Sequence, residues 1–159
     1  MSTGPMPSER GHMPTIMSRT RPGASHWHAL ELALAPLIRG DQFTVLAFQQ
    51  EDGLARRVYS NNERDYPSGG SKDLMGSPWA EHVIRQGRLL ICKSPQDMRW
   101  AFADHQILAD LGFTTAINVP IRQGEGVAWT VNMVRGPQSF TDEDGEFALL
   151  TVESWILNF

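Results

Sequence analysis

The chain has 159 residues, 14 basic against 18 acidic side chains, a formal net charge of −4, 41% hydrophobic residues and one cysteine. At roughly 100–200 residues per domain, this length allows one hydrophobic core and excludes a two-domain enzyme. The acidic balance lacks the basic footprint that nucleic-acid binding requires, and no apolar run approaches the ~18 residues of a membrane span.

Residues 1–23 hold four of the ten prolines, four of the seven methionines and Arg10, Arg19 and Arg21 against Glu9, with no periodicity. That composition reads as a flexible tail. It carries +2, leaving −6 on the folded part, residues 24–159. The first 20 residues lack the apolar stretch of a secretory leader, and a lone Cys92 cannot form an intrachain disulfide, so the expected compartment is the cytoplasm.

Ser25 reads as an N-cap, and Ala29, Leu30, Ala33, Leu34, Leu37 and Ile38 recur at helical steps as far as Gly40. Phe43–Phe48, a turn at Glu51-Asp52-Gly53 and Arg56–Tyr59 form a β-hairpin pattern. Residues 60–77, with Asn61, Asn62, Pro67, Gly69, Gly70 and Gly76, are irregular, and an irregular stretch that long is functional or disordered. Ser77-Pro78 opens a short helix ending at Gly87, Leu89–Cys92 is a buried strand, and Ser94-Pro95 opens a second short helix to Phe102. A third runs from Asp104 to Leu111. Thr114–Ile121 and Val127–Val134 flank Gln123-Gly124-Glu125-Gly126 as a second hairpin, with Asn118 and Asn132 among apolar neighbours. Thr141-Asp142-Glu143-Asp144 is a capping box with Asp replacing Glu, and an apolar stripe continues to the end. This order lacks regular β-α alternation, so the expected class is α+β, an antiparallel sheet with the terminal helices on one face.

Several chemistries find no support. Cys92 ends an apolar strand and has only Lys93 as an activator, which suits a structural thiol better than a reactive one. No nucleophile elbow and no phosphate-binding glycine loop occur. The histidines lack metal-ligand spacing. Asp104-His105 pairs a carboxylate with an imidazole that titrates near neutrality, although Asp is also an ordinary N-cap. Tyr66, Trp79, Trp100 and Trp129 place aromatic faces near the long loop, the short helices and the second hairpin. Taken singly each reads as core. Together with Lys72, Asp104 and His105 they could wall a small-molecule site under the 60–77 loop.

The run from Asp104 through Leu111-Gly112 and Ile117-Asn118-Val119-Pro120-Ile121, then Gly126–Val134, with Thr130-Val131-Asn132, and Phe140-Thr141-Asp142-Glu143-Asp144, resembles a GAF domain from about residue 24 to the C-terminus. The resemblance implies a central antiparallel sheet of five or six strands, terminal helices on one face, and a pocket on the other beneath loops and short helices. It implies a sensory or regulatory domain; with a single Cys92 that matches neither the bilin-attachment nor the reductase pattern, the expected ligand is held non-covalently and no catalysis is expected. It also implies a homodimer through helices 25–39 and 141–158, and an effector protein to receive the signal. Tyr66, Lys72, Trp79, Trp100, Asp104, His105, Asn118 and Thr130 are the candidate ligand-binding residues. Lys72 and His105 as donors suggest a small carboxylate-bearing metabolite. No catalytic residue, metal or cofactor is expected. Asn132-Met133 lacks the Lys, and Asp144-Gly145 the Glu, of cyclic-nucleotide-binding members. Cys92-Lys93 does not match the Cys-His of bilin-binding members. The alternatives are an interaction or dimerisation module without ligand, and a thiol-dependent reductase using Cys92.

Overall fold

The computed structural model describes residues 13–39, 41–49, 51–73 and 76–159. In chain order the elements are β1 (Thr15–Ile16), α1 (Ala24–Ala33), α2 (Ala35–Ile38), β2 (Gln42–Gln49), β3 (Leu54–Ser60), β4 (Ser71–Asp73), α3 (Ala80–Arg85, π-helical), β5 (Leu90–Cys92), α4 (Pro95–Ala101), α5 (His105–Asp110), β6 (Thr115–Gln123), β7 (Gly126–Arg135) and α6 (Asp142–Ile156). The strands form one sheet ordered β1-β6-β7-β2-β3-β4, with β5 also pairing β6. The class is α+β, as the sequence indicates. No helix among the described residues is long and apolar enough to cross a membrane.

Strands β2, β6 and β7 are buried almost throughout, because both faces of the sheet are covered. Phe43, Val45, Ile117, Val119, Val131 and Met133 point to one face, where they meet Trp27 and Leu30 of α1 and Ala148, Leu149, Val152 and Trp155 of α6. Trp27 stacks on Trp155 with centroids 5.0 Å apart, and the Trp155 indole donates to the His26 carbonyl at 3.0 Å. Trp129 fills this same layer beside Trp27. Leu46, Ala116 and Val134 point to the opposite face, toward α3, α4 and α5.

Two bulges interrupt the alternation. Val45 faces Tyr59 but Leu46 faces Arg57, leaving Val58 unpaired in β3; Ile121 faces Trp129 but Arg122 faces Val127, leaving Ala128 unpaired in β7. A bulge shifts every later side chain to the other face. Tyr59 therefore packs toward α1, whereas Arg57 and Ala55 point to the second face.

The structure corrects four expectations. The sheet is mixed, and seven strands make it up, because β1 pairs with β6 in parallel. Beyond β5 the edge of β6 is left with unpaired backbone groups, and the chain covers it: Arg122 N–H donates to the Pro14 carbonyl at 2.8 Å. The stretch 13–16, assigned by composition to the tail, thus belongs to the fold, with Met13 and Ile16 in the core; residues 1–12 lie outside the described residues. The first helix is capped by Gly23 instead of Ser25, with the His26 Nδ1 accepting the Gly23 N–H at 2.9 Å. It breaks at Leu34, two residues before Pro36. Strand β4 occupies part of the stretch that lacked any pattern. Two expected caps form: Ser94 Oγ accepts from Asp97 N–H at 3.1 Å, and Thr141 and Asp144 exchange side chain-to-backbone bonds at 3.1 and 2.9 Å; Asp104, at the start of α5, makes no side-chain cap bond.

Because Ile16 is only 1% exposed, Ile16→Ala should cost about 2–5 kcal/mol, the range for a buried Ile truncated to Ala. Chemical denaturation measures this; an unchanged midpoint would return residues 13–16 to the tail.

Candidate functional site

The second sheet face is partly polar, and polar groups that are buried need partners. Trp79 supplies the starting constraint, since its indole N–H can only donate. It donates to Asn118 Oδ1 at 3.2 Å, which fixes that amide; Asn118 Nδ2 then donates to Asn132 Oδ1 at 2.7 Å. Asn132 Nδ2 reaches the Thr130 carbonyl at 3.2 Å and the Thr44 carbonyl at 3.4 Å. Asn118 and Asn132 are directly opposite in register. The result is a directional hydrogen-bond chain across β6, β7 and β2.

Over this chain lies a cavity of about 310 Å³. Gln42, Thr44, Leu46, Asn118, Asn132 and Val134 form its floor, and Arg57, Tyr66, Asp73, Ser77 and Trp79 its side. Ala101, Phe102, Ala103, Asp104 and Leu108, from the α4–α5 region, close it above. Gln42 is held by Asn62, whose Nδ2 donates to Gln42 Oε1 at 2.7 Å.

At one wall Tyr66 bridges two charged groups. Its hydroxyl donates to Asp104 Oδ2 at 2.7 Å, and the Arg57 guanidinium lies 4.9 Å from its ring centroid. Burial, and then the bond to Asp104 and its negative charge, push the Tyr66 hydroxyl well above the usual phenol range, against the opposing charge of Arg57. Arg57 Nη1 donates to the Pro67 carbonyl at 3.0 Å. Its Nε–H is buried and has no hydrogen-bond partner among the described residues.

Of the eight residues proposed from sequence, Tyr66, Trp79, Asp104 and Asn118 converge on this cavity. Trp100, His105 and Thr130 are not among the described lining residues. Trp100 is 50% exposed and meets His82 edge-on at 6.4 Å, while its neighbour Ala101 faces the cavity. In α5, Asp104 and Leu108 lie one turn apart on the cavity side, so His105 is rotated away by about 100°. Thr130 shares its face of β7 with Asn132 and Val134 but is buried between Leu46 and Pro120; its hydroxyl has no partner among the described residues. Lys72 stands on β4 opposite Ala55, and its side chain lies outside the described residues. Sequence reasoning missed Arg57, Gln42 and Thr44 and left Asn132 as an isolated polar residue. Alternation along β2 from buried Phe43 could have found Gln42 and Thr44.

Cys92 is fully buried, with its Sγ 3.7 Å from the Asp97 carbonyl. Burial first, then the charge of Asp97, push its thiol up to about 12.

A family model described as a GAF domain matches residues 21–154. No curated protein sequence matches. Among solved structures, the GAF/HD domain protein of Geobacter sulfurreducens is 16% identical, with a TM-score of 0.66 over 84% of this chain and 88% of that one. The GAF domain of a two-component sensor histidine kinase from Bacillus halodurans is 15% identical, with a TM-score of 0.59 over 82% and 93%. The GAF domain of an Acinetobacter phosphoenolpyruvate-protein phosphotransferase is 13% identical, with a TM-score of 0.59 over 86% and 84%.

Asn118→Leu should cost about 1–3 kcal/mol by leaving the Trp79 indole N–H without its acceptor and Asn132 Oδ1 without its donor, and a double-mutant cycle with Asn132→Ala should show the two positions coupled. Cys92 should resist a thiol reagent until the protein unfolds. Its folded-state pKa is raised, so its contribution to stability is complete below the unfolded value near 9 and is lost as pH rises toward about 12. Unfolding free energies between pH 9 and 10 should therefore fall, and Cys92→Ala should flatten that slope.

Proposed function

The chain belongs to the GAF domain family, and from that premise we propose that it is a sensory or regulatory module that binds a small molecule non-covalently in the Trp79–Asn118–Asn132 cavity. The observation carrying this reading is that a 310 Å³ cavity is floored by a hydrogen-bonded polar chain instead of collapsed apolar side chains. Trp79, Phe102, Leu46 and Leu108 offer contact area, and the amides, Tyr66 and Arg57 offer orientation. A small carboxylate-bearing metabolite remains the proposed ligand. Arg57 replaces His105 as the cation that supports it, because Arg57 lines the cavity. The similarity of the fold to a domain of a sensor histidine kinase agrees with a signalling role.

We further propose that the protein works in the cytoplasm as a homodimer through helices 25–39 and 141–158, passing its signal to an effector protein. Leu32, Phe147 and Leu150 are exposed apolar residues on α1 and α6, which favours a partner surface there. The same residues favour the second reading, an interaction module with no ligand. A role for Cys92 as a reductase thiol is opposed by its burial and raised pKa. The proposal is thus for a binding protein without chemistry of its own.

Native mass spectrometry under gentle and then denaturing conditions tests both halves of the proposal. The expected result is a dimer that carries a releasable small mass. An empty dimer that shows no thermal shift across amino acids, organic acids and nucleotides would favour the interaction module.

A further inference from the structure

The geometry points to Glu31 of α1 as a positioning residue for the cavity, acting from the opposite face of the sheet: its one carboxylate holds the strand end and turn that carry the cavity wall, so that α1 and the wall move as one unit.

α1 and the cavity lie on opposite faces of the sheet, and β3 reaches both. The Val58 bulge sets Arg57 on the cavity side and Tyr59 on the α1 side. Past the strand the division continues in consecutive residues. Asn61 Nδ2 donates to Glu31 Oε2 at 3.1 Å and to the Asp41 carbonyl at 2.9 Å, while its Oδ1 accepts from Phe43 N–H at 2.8 Å. Asn61 thus grips the backbone on both sides of Gln42, a residue of the cavity floor, and Asn62 Nδ2 donates to the Gln42 side chain at 2.7 Å. The Asn62 carbonyl then accepts the Tyr66 N–H at 2.8 Å, which sets the backbone from which the Tyr66 wall rises.

Glu31 is the one carboxylate in α1, and both of its oxygens are engaged by this span of chain. Oε1 accepts from the Tyr59 hydroxyl at 2.6 Å and Oε2 from Asn61. His28 Nδ1 stands 3.1 Å from the same hydroxyl and 3.7 Å from Oε1. Burial, then the bond to Glu31 and its charge, push the Tyr59 hydroxyl well above the usual phenol range, so it stays a donor. Asn61 Nδ2 is fixed as a donor as well, because Oδ1 of the same amide is held by the Phe43 N–H. Two donors of set direction therefore meet one carboxylate, and hydrogen bonds to a charged acceptor are the stronger kind. A shift of α1 draws residues 59–61 with it, and Gln42 and Tyr66 follow through Asn61 and Asn62; by reciprocity a shift of that wall returns to α1. The coupling belongs to the fold whatever the cavity holds.

The test is amide hydrogen exchange by NMR on the full chain with no ligand added, which reads local opening residue by residue and is independent of the ligand-binding reading. The reporters are the Asn61, Tyr66 and Gly69 amides, bonded to the Phe43, Asn62 and Arg57 carbonyls, and the control is the Leu108 amide of α5. Glu31→Ala should speed the three reporters roughly tenfold or more, since each charged hydrogen bond contributes about that factor, and leave Leu108 as it is. Tyr59→Phe, which removes one of the two bonds and no charge, should give a smaller rise at the same amides. Asn61→Asp alone sets two acceptors against each other and should also open them. Combined with Glu31→Gln, it lets the new amide donate to the new carboxylate while the amide oxygen still accepts from Tyr59, and the reporters should slow again. Reporters that keep wild-type rates in a Glu31→Ala or Tyr59→Phe protein that melts normally overturn the inference. So does a rise shared equally by Leu108, or a double variant that exchanges as fast as the faster of its two single variants.

Discussion

Three strands, β2, β7 and β6, are buried on both faces, and that double burial is the constraint from which the architecture follows. The face toward α1 and α6 is almost wholly apolar, so it can be closed by packing alone. The face toward α3, α4 and α5 carries Gln42, Thr44, Asn118, Thr130 and Asn132, and packing alone cannot close it. Each polar group there needs a partner or forfeits its hydration. Trp79 sets the direction of the solution because it can only donate, and the two asparagines pass that direction from strand to strand. The cavity survives because its floor is committed to this lateral chain.

Strand β7 belongs to both layers. Asn132 and Val134 face the cavity, Met133 faces the helices, and Arg135 at its end is buried among the Leu37, Gln138 and Ser139 carbonyls and Asp144 of the α6 capping box. The Phe140 ring lies 4.1 Å from the Arg135 guanidinium carbon. Breaking one partner from a buried charge costs more than the pair contributes, so this knot ties the start of α6 firmly to the sheet. A displacement of β7 would therefore be carried to the start of α6.

Much of the fold was legible because local signals and tertiary packing agree. The capping box at Thr141, the Ser94-Pro95 start and both hairpins needed only their own residues. What stayed hidden depends on non-local geometry. Residues 13–16 have no periodicity and fold only because β6 offers an uncovered edge, and β4 is three residues long and exists through β3. The site was half legible. Tyr66, Trp79, Asp104 and Asn118 were found by residue type and position, but a helical rotation of about 100° removed His105 from the cavity. Arg57 is the clearest loss, since regular alternation would set it on the face of Tyr59, among the helices. Only the unpaired Val58 reverses that, and a bulge leaves no mark in a single sequence.

Two buried groups remain without partners among the described residues, the Thr130 hydroxyl and the Arg57 Nε–H, and they differ in kind. Thr130 lies sealed between β2 and β6, where a small neutral hydroxyl is tolerable and nothing enters. Arg57 opens on the cavity, carries a full charge, and is braced on both of its other sides. The exception is concentrated at a single guanidinium that the Val58 bulge turns toward the cavity.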